Sequence, residues 1–197
     1  MAKSSSTGFE FAQGLAGAQN PSSIDFLLDD SITLKIGDAV RVNTDGIVAR
    51  VAATYAVLGI CTGIVDENGI NPFSLSYINA TGSTLTGDDT VVTASDNSTR
   101  AHALFAQVAV DPAGNCLWLN DADGDLAQTN ICQMFDVVAA SGQISQSSAS
   151  DTSGQFQLIK IDPQGDADAS KGLFRISEPQ LMAQVGNATT GFVVVAA

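Results

Sequence analysis

Histidine occurs once in this 197-residue chain, at His102, and tryptophan once, at Trp118, with only two tyrosines beside them. A single imidazole excludes zinc chemistry through paired histidines. His102 stands in a run that is apolar on both faces, where a satisfied core or interface histidine is expected rather than a general base. The three cysteines, Cys61, Cys116 and Cys132, form no CxxC or Cys–His spacing and sit in apolar settings (GICTGI, NCLWL, NICQMF). They read as buried free thiols of a protein made in a reducing compartment. A phosphate-binding GxxxxGKS/T loop, a GxSxG elbow and a GxGxxG turn after a strand are all missing, so neither catalytic residues nor a cofactor site is expected.

Bases are scarce too: 8 against 21 acids leave a net charge of −13, which repels nucleic acid phosphates and anionic lipid surfaces. Neither nucleic acid nor membrane is therefore an expected partner. No apolar run is long enough to span a bilayer, and the N-terminus MAKSSSTGFEFAQGLAG lacks the apolar stretch of a signal peptide. A soluble, non-exported protein follows, in which the Asn-x-Ser/Thr sites at Asn79, Asn97 and Asn187 would go unglycosylated. Charged residues make up 15% of the chain and apolar ones 45%, which is not the balance of a disordered protein. Polar faces must instead be built from Ser, Thr, Asn, Gln and Gly, a composition suited to protein contacts.

What the chain does have is strand periodicity. Ile32, Leu34 and Ile36 alternate with Thr33 and Lys35, and after a Gly37-Asp38 break Val40 and Val42 alternate with Arg41 and Asn43. Asn43-Thr44-Asp45-Gly46 predicts a tight hairpin, with Ile47 to Ala52 as the returning strand. Val57 to Val65 reads as a more deeply buried strand, and Asp66-Glu67-Asn68-Gly69 as the turn after it. Ile24 to Leu28 fits either a helical turn or a strand.

Further strands are predicted at Phe73–Ile78, at Thr84–Ser95 with a break at Gly87-Asp88-Asp89, and at Cys116–Leu119. Ala101–Val110, apolar on both faces, predicts a central strand. Phe156–Ile161 and Leu173–Ser177 should pair across the loop Asp162 to Gly172, and Gly191–Val195 reads as a last buried strand. With no segment of sustained helical period, the fold class is mainly β, an antiparallel β-barrel or β-sandwich. Residues 1–23 hold only Phe9, Phe11 and Leu15 as apolar anchors and are expected to form an extended arm. Residues 24–197 form a single β domain, with a Ser/Gly-rich loop at 141–154 as an exposed excursion or subunit contact.

Two acidic stretches carry ligand logic. In Asn120-Asp121-Ala122-Asp123-Gly124-Asp125, carboxylates at alternate positions around a glycine could converge on a hard cation such as calcium. Against the EF-hand pattern the glycine comes early, and Cys132 stands where the bidentate glutamate belongs. A solvated acidic turn is therefore expected. Asp162, Asp166 and Asp168 form a second acidic loop with the same expectation, and no metal site is assigned to either.

Two stretches carry a family resemblance. GDAVRVNTDGIVARV with the following AVLGICTGIV resembles the opening of the small capsid decoration (cement) proteins of tailed bacteriophages, and QFQLIKIDPQGDADASKGLFRISEPQL, from Gln155 to Leu181, is similar to a segment near the end of phage head proteins of this kind. Together they cover fewer than half of the residues. The resemblance implies a homo-oligomer, commonly a trimer, seated on the major capsid protein lattice at the outer surface of the virion. It further implies a structural role rather than an enzymatic one, in a protein made in the bacterial cytoplasm. The Ser-rich loop and the tail past Leu181 depart from the pattern. A tail or baseplate component and a β-sandwich carbohydrate-binding module for host attachment are the alternatives. The second would need exposed aromatics over a groove, and the chain has few.

Overall fold

A computed structural model describes residues 8–15, 21–28, 32–44, 46–66, 68–69, 91–94, 103–161 and 170–180. Twelve strands run through them: β1 (Glu10–Gly14), β2 (Ser23–Leu27), β3 (Ile32–Lys35), β4 (Ala39–Val42), β5 (Val48–Arg50), β6 (Gly59–Asp66), β7 (Val91–Ala94), β8 (Leu104–Val110), β9 (Cys116–Asp121), β10 (Met134–Phe135), β11 (Phe156–Ile161) and β12 (Lys171–Ile176). The described helical structure is two single 3-10 turns, Gln128–Asn130 and Gln146–Ser148.

One sheet has the order β1-β9-β12-β11-β10, a second β2-β8-β6-β4-β5, and β3 pairs with β7 alone. All these pairings are antiparallel. Of the two architectures expected, the sandwich fits and the closed barrel does not. The second sheet curls strongly, and an isolated bridge between Leu28 and Val48 brings its β2 end up to its β5 end.

Strand alternation explains how this curled sheet is buried on both faces. Ala39, Ile60 and Ala109, aligned across β4, β6 and β8, face the first sheet. There they meet Trp118, Phe135, Phe156, Leu158, Phe174 and Ile176. Their neighbours Val40, Cys61 and Val108 point the other way, into a second core with Leu28, Leu34, Val48, Leu58, Ile64, Leu104 and Ala106. A register shift between Cys61 and Gly63 leaves Thr62 as an extra, exposed residue, and Ile64 thereby lands on the same face as Cys61. One bulge thus keeps an apolar face continuous despite an odd spacing.

Several predicted elements are found as read. The Asn43–Gly46 reversal closes β4 onto β5 with Val42 opposite Val48, and Ile47 N–H donates to Asn43 Oδ1 at 3.1 Å. β6 is buried along most of its length, β8 is central between β2 and β6, and β11 pairs with β12. Of the two readings left open for Ile24 to Leu28, the strand is found, as β2 with Leu28 in an isolated bridge after it. Asn68 N–H donates to Asp66 Oδ1 in the turn after β6. The strands expected at Phe73–Ile78 and Gly191–Val195, and the first half of Thr84–Ser95, lie outside the described residues.

Three expectations need correction. Residues 8–15 are not an arm held off the domain: β1 pairs with β9, Phe9 is buried and stacks on Phe156 at 4.3 Å between ring centroids, and Phe11 meets Trp118 edge-on at 5.7 Å. Few apolar residues suffice because a neighbouring sheet supplies the other side of each contact. The 141–154 segment is not an excursion either. Ile144 is fully buried, exchanges backbone hydrogen bonds with Asp121 and Asp123, and Ser150 exchanges a pair with Met134. Cys132, expected to be buried, is exposed, on a turn with φ +74 whose N–H donates to Leu158 O.

Candidate functional site

Several polar side chains of this molecule are tied to backbone. Gln155, with no exposed surface, donates from Nε2 to Ala52 O and Tyr55 O, both at 2.7 Å, and accepts from Val137 N–H at 2.8 Å. It thereby fixes a turn after β5 to the strand region beyond β10, across the two sheets. Gln180 uses its amide as a piece of strand: Oε1 accepts from Val42 N–H at 2.7 Å and Nε2 donates to Val42 O at 2.6 Å. Asp111 caps the β8–β9 turn by accepting from the N–H groups of Asn115 and Cys116, each at 2.8 Å.

A buried ion pair clamps the 138–142 loop. Asp38 is 1% exposed, accepts from Arg50 Nη2 at 2.8 Å and from Lys35 N–H at 2.9 Å, while Lys35 Nζ donates to Ser141 O and Asn120 Nδ2 to Gly142 O. Gly142 has φ +78, and a Cβ there would stand 3.0 Å from Asp38 Oδ1 and 3.3 Å from Arg50 Nη2. The positive φ favours glycine, and a Cβ would also press on the ion pair. Burial raises the Asp38 carboxyl above its ordinary value, and the Arg50 charge, the Lys35 N–H and the Lys35 charge offset only part of that.

The acidic turn at Asn120–Asp125 is divided among structural tasks. Asp121 is buried on β9, 3.8 Å from Lys171 Nζ, and its carboxyl is raised first by burial, against the lowering charge of Lys171 and with a smaller push from Glu10. Asp123 Oδ1 accepts from Gln146 N–H at 2.7 Å. Among the described residues no three metal-ligating side chains come together. Cys61 and Cys116 are buried thiols pushed up to about 12 and about 11, chiefly by desolvation. Such thiols are poor nucleophiles at neutral pH. His102 and the loop with Asp162, Asp166 and Asp168 lie outside the described residues.

One cation–aromatic pair was passed over by sequence reasoning. Arg41 on β4 stands 4.2 Å from the centroid of the Tyr55 ring, and Tyr55 is 44% exposed. Tyr55 follows Thr54, whose φ of +76 is rare for a β-branched residue, in the turn that Gln155 holds. Arg41 Nε is buried without a hydrogen-bond acceptor. No glycine marks this turn, so the usual signal for a positive φ is missing from the sequence. Comparison of the chain with known protein families, with characterised proteins and with solved structures finds no match.

Proposed function

We propose that this is a structural protein of a tailed-bacteriophage head, which binds the outer surface of the capsid and reinforces the shell. The observation that carries the reading is the use made of buried polar groups. Gln155, Asp38, Asn120 and Asp111, with the half-buried Gln180, each hold a turn or loop against the sandwich. Their hydrogen bonds preorganise loops for docking, which lowers the ordering cost of association. The resemblance of Gly37–Val65 and Gln155–Leu181 to head decoration proteins gives the direction, and the net charge of −13 suits a position away from packaged phosphates.

Reinforcement then needs no bond making. A protein that binds the assembled shell and not its dissociated subunits stabilises the assembly by mass action, and weak contacts on one oligomer add as avidity. Electron microscopy of the native particle tests the reading, together with heating of particles carrying or lacking this protein. Density for it on the outer shell and a higher temperature of genome release in its presence are expected. Its absence from the shell, or equal heat resistance without it, rejects the proposal.

A further inference from the structure

We propose that the outer face of the first sheet is a twofold contact between two copies of this chain. Alternation sets the inner residues of that sheet, among them Trp118, Leu158 and Phe174, against the second sheet and turns their neighbours outward. One row of outward residues crosses four strands in register. Glu10 on β1 lies opposite Leu119 on β9, Leu119 opposite Leu173 on β12, and Leu173 opposite Lys160 on β11. Leu119 and Leu173 are half-buried and belong to neither core, while Glu10 and Lys160 at the two ends of the row are exposed. Two residues along, a shorter row places Asp121 opposite Lys171.

Across the strands the first row runs acid, leucine, leucine, base, and that order is its own complement. A twofold axis parallel to the strands, between β9 and β12, sets Glu10 over Lys160 of the partner subunit and Leu119 over Leu173 of the partner subunit, and each contact occurs twice. The same rotation brings Lys171 of the partner subunit over Asp121, whose Oδ1 is buried without a hydrogen-bond partner. Strands then stack nearly aligned, the arrangement in which two sheets pack about 10 Å apart. Leucines at the centre with charges at the edges match the anatomy of protein contacts, an apolar core inside a polar rim.

Local charge permits here what the net charge opposes elsewhere. At −13, two copies repel across most of their surfaces, as each repels any polyanion. On this face, however, the acids Glu10 and Asp121 stand with Lys160, Lys171 and Arg175, three of the 8 bases in the chain. Repulsion from the remaining surface is screened beyond about 8 Å at physiological salt. A uniformly acidic partner would meet Glu10 and Asp121 at one end of the face. A partner with the same charges in reverse order suits both ends, and a second copy of this chain is such a partner.

The inference rests on the oligomer within the proposed function and names the surface that builds it. A twofold contact closes at two copies, so a dimer is expected where the family resemblance implies a trimer. Sedimentation velocity of the purified full-length chain across the micromolar range tests it, comparing wild type with Glu10→Lys, Lys160→Glu and the double variant carrying both. Both positions are exposed, so each variant is expected to keep the wild-type unfolding midpoint. Within one chain Glu10 and Lys160 stand three strand spacings apart, about 14 Å, so a rescue in the double variant comes from a neighbouring copy. Each single reversal is expected to weaken dimerisation about tenfold or more, and the double variant to recover it. A wild-type trimer, an association that both single variants preserve, or a loss that the double variant does not recover overturns this contact alone. A wild-type monomer overturns both the contact and the oligomer it builds on, and leaves binding to the shell to be judged by microscopy of the particle.

Discussion

A single glutamine, Gln155, carries three hydrogen bonds in a place water does not reach. Replacing it with leucine keeps the bulk and leaves Ala52 O, Tyr55 O and Val137 N–H unpaired, each costing about 1–3 kcal/mol if it stays buried. Gln155→Leu is therefore expected to lose about 3 kcal/mol or more in urea unfolding, and a loss below about 1 kcal/mol would show that the turn reorganises freely. Acid titration tests the two buried carboxyls. The folded values of Asp38 and Asp121 are raised above 3.8, so the folded protein keeps protons that the unfolded chain has released. Their contribution is present below the unfolded value and is lost as pH rises through the folded ones. Moving down from neutral pH should strengthen it, and Asp38→Asn with Asp121→Asn should flatten the dependence of the urea midpoint on pH. An unchanged slope in that double variant rejects the assignment. None of this was legible in the sequence, because Gln155 takes its role from a turn about a hundred residues away, and the burial of Asp38 beside Arg50 depends on a loop that Lys35 reaches across a similar separation.

Elements were more legible than residues. Alternation located β3 and β4, runs apolar on both faces located β6 and β8, and two apolar stretches flanking an acidic loop located β11 and β12. It failed for β1, where Phe9 and Phe11 flank polar and small residues and the burial comes from Phe156 and Trp118. It failed too for the 141–154 loop, where Ile144 is a lone anchor amid Ser, Gly and Gln. These corrections change what truncation should do. Phe9→Ala removes a stacked ring from the core and is expected to cost about 3 kcal/mol, measured by denaturant unfolding. A variant as stable as wild type would return β1 to the status of a dispensable arm. For the loop, Gly142→Ala sets a Cβ against the Asp38–Arg50 pair at a positive φ, so a loss of about 1–3 kcal/mol is expected in the same assay. Retained stability there would mean that the clamp tolerates a shifted loop.

For the molecule as a whole, the Asn120–Asp125 turn is expected to stand without a metal: Lys171 Nζ lies 3.8 Å from Asp121 Oδ1 and Gln146 N–H donates to Asp123. A chelator is accordingly expected to leave the melting temperature unchanged, and a large drop would reveal a cation holding the turn. Sheet order was the least legible feature, because pairing β2 with β8 or β3 with β7 depends on which distant strands share a core. That order also governs how the protein comes into being. β1 spans residues 10–14 and its partner β9 spans 116–121. At ribosomal speeds of about 5–20 residues per second, the first strand is made roughly 5–20 seconds before the strand it pairs with. Through that interval Phe9 and Phe11 lack the faces of Phe156 and Trp118 that they pack on in the folded protein, and a nascent chain halted before Cys116 holds two aromatic side chains without those partners.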